Sequence, residues 1–220
     1  MFTPISEFPV AGSAPLSNAI GSIGFLLMAD GVKRGSCIRW KSDGVLAAAH
    51  HLQSPVATMQ LLALFGFSAN TAEDAAKRSI YTFASLGEGA YFSSKDVEDA
   101  AFARLGIGRN TELNRSTFLE NDVVAPSDGL PVYLVGYRTT GVSPHEKSEK
   151  GYERRSVALK DSDQFFDVGE AMDHGMSGGG VIAEDGRLVG IILNDGTTKK
   201  PQAASVSAFL RRMREAKVNA

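Results

Sequence analysis

Glycine punctuation constrains this chain more than any other feature. The 220 residues hold 23 glycines spread along the length, and the apolar residues between them fall in runs too short for long helices. Ile23-Gly24-Phe25-Leu26-Leu27-Met28 stops at Asp30-Gly31, and the alternating run Ser36-Cys37-Ile38-Arg39-Trp40 stops at Asp43-Gly44. Asp-Gly supplies the positive-φ residues that two-residue hairpin turns need. Residues 45–48, 57–67, 79–84, 100–105, 131–137, 156–159, 164–168, 179–183 and 188–193 continue the series. Many short strands with turns between them predict an all-β chain, a sandwich or a pair of barrels.

Helical signals are sparse. Residues 71–77 predict one or two turns capped by Asn70 or Thr71. Residues 207–217 predict a C-terminal helix, with Ser207 as cap and Phe209, Leu210 and Met213 on one face among Arg211, Arg212 and Arg214. The polar stretch from Asn114 onward separates two blocks of strands. The expected organisation is therefore an N-terminal unit over 1–113, a linker over 114–130 and a C-terminal unit over 131–220. The charged stretch 138–155 reads as a loop.

Composition excludes several classes. Apolar residues make up 43% and charged residues 22%, enough apolar surface to offset chain entropy, so global disorder is excluded. A formal charge of −2 gives no electrostatic footprint for nucleic acid. The longest apolar run, 23–29, is far short of a membrane-spanning helix. The single cysteine, Cys37, can form no intrachain disulfide. Residues 1–21 carry Glu7 and lack both a basic start and an apolar core, so no secretory signal is read there and a cytoplasmic location is the expectation.

Three features carry chemistry. Gly175-Met176-Ser177-Gly178-Gly179-Gly180 embeds a serine in glycines, which let consecutive N–H groups converge on one point. The hydroxyl is a weak nucleophile and needs a base. By itself the run also reads as a plain glycine turn. It fits the Gly-x-Ser-x-Gly elbow of α/β-hydrolases, but that fold places its histidine after the serine. His50, His51, His145 and His174 all precede Ser177, so only the order His, Asp, Ser stays open. The second feature is Val45-Leu46-Ala47-Ala48-Ala49-His50-His51, where small alanines allow tight packing beneath an imidazole. The adjacent pair leaves open which histidine acts. The third is Asp99, which opens the apolar strand at 100–105; an acid there orients a histidine, or simply caps the strand.

Together these features resemble the trypsin-like (chymotrypsin-fold) serine peptidases. Ala47-Ala48-Ala49-His50-His51 is similar to that family's Thr-Ala-Ala-His-Cys. Asp99-Ala100-Ala101-Phe102-Ala103-Arg104-Leu105 is similar to Asp-Ile-Ala-Leu-Leu-x-Leu, and Gly175 to Gly180 to Gly-Asp/Asn-Ser-Gly-Gly-Pro. The segment from Val181 to Ile191 looks like the hairpin after the serine in HtrA-type bacterial members.

The resemblance implies two six-stranded antiparallel β-barrels with a C-terminal helix. It implies His50 as general base, Asp99 as its orienter and Ser177 as nucleophile, with the Gly175 and Ser177 N–H groups as the oxyanion hole. The activity implied is a serine endopeptidase acting through an acyl-enzyme on protein or peptide substrates, with no metal or other cofactor. His51 stands where secreted relatives carry a disulfide cysteine, and Met176 where trypsin carries an acid. The specificity pocket falls at Ala171, Met172, Ile192 and Asp195. Ala171, Met172 and Ile192 favour an apolar or small side chain, while Glu170, Asp173 and Asp195 leave a basic one open. A regulatory protein partner is expected, with 138–155 and 67–78 as docking surfaces; neither nucleic acid nor membrane is. The alternatives are an inactive peptide-binding module on the same fold and an esterase using the same triad. A cysteine enzyme built on Cys37 is disfavoured by its mid-strand position.

Overall fold

A computed structural model describes residues 1–8, 14–28, 33–52, 61–65, 79–83, 91–92, 99–109, 117–139, 148–170, 172–193 and 202–217. The strands are β1 (Thr3–Pro4), β2 (Ile23–Met28), β3 (Lys33–Trp40), β4 (Gly44–Ala48), β5 (Leu61–Phe65), β6 (Ser79–Phe83), β7 (Tyr91–Phe92), β8 (Ala100–Arg109), β9 (Pro131–Thr139), β10 (Ser148–Ser156), β11 (Ala158–Leu159), β12 (Phe165–Asp167), β13 (Gly180–Ala183), β14 (Leu188–Leu193) and β15 (Gln202–Ser205). The helices are α1 (Ala14–Gly21), α2 (Ala49–Leu52) and α3 (Val206–Glu215).

The strands form two curled antiparallel sheets. The first runs β4-β3-β2-β5-β6-β8-β7, and β4 also pairs with β8 from Gly44↔Arg104 to Ala48↔Ala100. That extra pairing closes six strands into a ring. The second runs β1-β10-β9-β13-β14-β15-β12-β11. β11 continues β10 beyond Val157 and pairs with β12, so this sheet also curls onto itself. The expected pair of antiparallel barrels with a C-terminal helix is found as two curled sheets, of seven and eight strands among the described residues.

The two-residue period of the strands sorts side chains into three cores. Leu26, Cys37, Val45, Ala47, Ala101 and Ala103 pack within the first sheet. Val132, Leu134, Phe166, Val181, Val189 and Ile192 pack within the second. Phe25, Ile38, Trp40, Leu46 and Phe102 meet Val135, Tyr137, Ile182, Leu188 and Ile191 between them. All five residues of β4 are buried, because one face lines the first core and the other the core between the sheets.

Several elements differ from the sequence reading. The stretch 138–155, read as a loop, contains all but the last residue of β10, which pairs with β9 over nine positions. Its charges hid it: Lys150 and Glu153 are buried yet bonded. Lys150 Nζ donates to Ile20 O at 2.6 Å and Ile23 O at 2.7 Å. Helix α3 begins at Val206, and Ser205 rather than Ser207 caps it, accepting from Ala208 N–H at 3.3 Å. Ser207 Oγ instead lies 3.0 Å from Ser205 Oγ. Helix α1 was not read from sequence; it buries Leu16, Ala19 and Ile20. β1 lies on the second sheet, paired with β10, although its residues fall in the 1–113 segment. In the 114–130 segment, Phe118 bridges to Trp40 and Val123 to Leu188, which ties the segment to both sheets. Residues 67–78, including the turns expected at 71–77, lie outside the described residues. Among the described residues no helix is long and apolar enough to cross a membrane.

Candidate active site

Asp99 and His50 come from the two strands that close the first sheet. β4 ends at Ala48 and runs into the single turn α2, which carries His50 and His51. Asp99 immediately precedes β8, beside the Ala48↔Ala100 pair. Ala47, Ala48, Ala49, Ala100 and Ala101 are fully buried there. Their small side chains let the two strand ends approach. Asp99 adopts φ of +47°, a left-handed conformation costing a non-glycine residue roughly 1–2 kcal/mol.

Hydrogen bonds offset that strain. Ala49 N–H donates to Asp99 O at 2.7 Å, and His50 N–H donates to Asp99 Oδ1 at 2.9 Å. The other carboxylate oxygen, Oδ2, lies 2.6 Å from His50 Nδ1. One carboxylate thus holds both the backbone and the ring of His50. Its side chain is only 5% exposed, against 29% for His50, so the acid sits behind the imidazole. An ionised carboxylate at Nδ1 selects the tautomer with the proton there. Nε2 then accepts, and it lies 3.3 Å from Ser177 Oγ.

Ser177 comes from the second sheet, on the turn that leads into β13. Gly175 has φ of +90° and Gly178 of +83°, conformations that favour glycine. Gly179 N–H donates to Met176 O at 2.9 Å. Gly178 N–H donates to Ile192 O at 2.7 Å, and Ile192 N–H returns to Gly179 O at 2.8 Å. Met176 is fully buried in the second core and anchors the turn from beneath.

The structure separates the two histidines. His50 meets both Asp99 and Ser177. His51 is turned inward at 9% exposure, its ring edge-on to that of His50 with centroids 4.2 Å apart. It fills the space above Gly35, where an added Cβ would lie 2.1 Å from His51 Cε1. His174 is exposed and His145 lies outside the described residues.

Of the residues that the resemblance assigns to a pocket, Met172 and Ile192 are buried in the second core, and Ile192 holds the Ser177 turn through its backbone. Ala171 and Asp195 lie outside the described residues. Asp173 is within 3.8 Å of Arg138, and Arg138 also binds Glu149 at 2.6 Å. Cys37 is a buried free thiol whose ionisation burial opposes, which fits a packing role. Among the described residues no three potential metal-ligating side chains cluster. Ser36, which sequence reading placed only in a strand, donates its N–H to Ser177 O at 2.8 Å. Its strand pattern carried no signal of that contact.

Two curled antiparallel sheets, one presenting a histidine–aspartate pair and the other a serine at the seam, define a chymotrypsin-like fold. Residues 35–191 match the family described as trypsin-like peptidase domain, and the chain belongs to it. Among solved structures, the chain is similar to neuropsin, a serine protease expressed in the limbic system of mouse brain. The TM-score is 0.66 at 15% identity, covering 91% of this chain and 96% of that one. That likeness is one of fold. No curated protein matches the chain.

Proposed function

We propose that the chain is a serine endopeptidase. One observation carries the reading: the His50 ring spans from Asp99 Oδ2 at 2.6 Å to Ser177 Oγ at 3.3 Å. Ser177 Oγ attacks the substrate carbonyl while His50 Nε2 takes its proton. Asp99 holds the ring and stabilises the imidazolium that forms. The Gly175 and Ser177 amides receive the oxyanion; the left-handed Gly175 supports this assignment. His50 then returns the proton to the leaving amine, and water repeats the sequence on the acyl-enzyme. The Oγ–Nε2 distance is at the long end for a hydrogen bond, as is common before substrate tightens the site. The residue types Ala171, Met172 and Ile192 favour an apolar or small substrate side chain, while Glu170, Asp173 and Asp195 leave a basic one open.

A fluorophosphonate probe tests the reading. The wild-type protein labels at Ser177, and neither Ser177→Ala nor His50→Ala does. A folded wild-type protein that never labels leaves the peptide-binding alternative. A peptide library then divides the labelled outcomes: internal cleavage by wild type and none by Ser177→Ala supports the endopeptidase, and turnover of esters alone supports the esterase.

A further inference from the structure

Ser36 is fully buried on β3 of the first sheet, yet its polar atoms are directed at the second. Its Oγ donates to Gly175 O at 2.8 Å and accepts from Tyr137 N–H at 2.9 Å. The assignment of that proton is fixed, because an amide can only donate and the hydroxyl has one hydrogen. Its own N–H donates to Ser177 O at 2.8 Å. With Gly179 N–H on Met176 O, three successive carbonyls at 175, 176 and 177 each have a named donor. A carbonyl so held fixes its peptide plane. The plane carrying the Ser177 N–H and the planes on either side of it are therefore set together.

Two of those three donors belong to one residue on the sheet that carries the base. β3 pairs with β4 at Ile38↔Leu46, and β4 runs into α2 and His50. Ser36 thus gauges the nucleophile turn against His50 across the seam between the sheets. The fit is close. A Cβ on Gly178 would lie 2.1 Å from Ser36 O, and one on Gly136 would lie 3.1 Å from Ser36 Oγ.

We infer that Ser36 is a positioning residue for the reaction proposed above: its buried hydroxyl, on Gly175 O and Tyr137 N–H, holds the Gly175–Ser177 turn with Oγ facing His50. The assignment rests on the serine-hydrolase reading. Ser36 is 0% exposed, so it acts through the turn and not on substrate.

Ser36→Ala in the full chain removes the hydroxyl and keeps the backbone bond to Ser177. Saturation kinetics with a fluorophosphonate gives the inactivation rate at saturation and the probe's apparent dissociation constant separately. The inactivation rate falls about tenfold or more, because a small misplacement of a reacting group costs one to two orders of magnitude. The apparent dissociation constant stays within about twofold, and the pH midpoint of labelling is unchanged, because the His50–Asp99 contact is untouched. A role in stability alone would move the melting temperature and leave the inactivation rate at the wild-type value. If Ser36→Ala does not fold, Ser36→Cys fills the site with a weaker donor and loses rate in the same direction. A folded Ser36→Ala or Ser36→Cys that inactivates within twofold of wild type overturns the assignment, as does a loss confined to the dissociation constant. A wild-type protein that never labels overturns the serine-hydrolase reading itself, and this assignment with it.

Discussion

The two halves of the site are held by opposite means. The first sheet presents His50 through a side chain: one buried carboxylate, on a residue in a left-handed conformation, bonds both the ring and the backbone of the base. The second presents Ser177 mainly through backbone bonds and glycines, joined by the Ser36 hydroxyl on Gly175 O, with Gly178 and Gly179 pressed against Ser36 O and Val135 O. The His50–Asp99 half therefore responds to charge and tautomer, and in the proposed reaction it can be disabled with the fold intact. The Ser177 half responds to volume, and damage there reaches the contact between the sheets.

The largest expected effect tests the first part of that contrast. Asp99→Asn keeps the shape but favours the wrong tautomer of His50, and the fluorophosphonate labelling rate falls about 10⁴-fold with the melting curve little changed. Retained labelling within tenfold, or a loss that follows unfolding, would break the contrast. Gly178→Ala tests the second part. It combines left-handed strain with a Cβ placed 2.1 Å from Ser36 O, and urea unfolding records a loss above roughly 2 kcal/mol. Gly129→Ala is the control, because its φ is +73° with no atom within 4 Å of the added Cβ. It loses only the strain, roughly 1 kcal/mol.

Lys150 belongs to neither half; it lies where β10 meets the chain around α1 and β2. Burial lowers its amine from 10.5 to about 7. Between those values the unfolded chain binds the extra proton, so stability rises with pH from about 7 toward 10.5, by at most about 1.4 kcal/mol per pH unit. Below about 7 both states are protonated and the contribution is flat, with the fold bearing the full cost of a buried charge. Lys150→Met removes this slope. Urea unfolding at pH 7, 8, 9 and 10 should show the wild type gaining on the variant at each step, and a constant difference would rule the buried amine out as the cause.

The smallest effect concerns His51. His51→Ala opens space over Gly35 and removes the ring beside His50, but it leaves the Asp99 and Ser177 contacts in place. Labelling stays within about tenfold of wild type. A complete loss would mean that the base depends on its neighbour as much as on Asp99.

Much of the site was legible in the sequence, because local chemistry imposed it. A serine whose turn needs left-handed backbone requires the glycines around it, and strand ends that must approach closely require alanines beside His50 and Asp99. The alanines by themselves did not separate His50 from His51, since both follow them; the resemblance to the family motif pointed to His50, and the direction of the single turn α2 sets the two rings apart. β10 was missed because its charges imitate a loop; the carbonyls that satisfy Lys150 lie 130 and 127 residues away. Ser205 replaced Ser207 as cap because β15 runs directly into α3, with no loop between them.

Turn chemistry and short strands narrowed the chain, without any coordinates, to a sandwich or a pair of barrels, and the resemblance of three short motifs to the trypsin-like peptidases implied the barrels and pointed to His50, Asp99 and Ser177 as the groups to join. Tertiary structure alone decided that they meet. The His50–Asp99 contact spans 49 residues, the His50–Ser177 contact 127 and the Ser36–Gly175 bond 139. Interactions at that separation have no local signature. They form only when strand closure and the core between the sheets bring distant segments to within hydrogen-bonding distance.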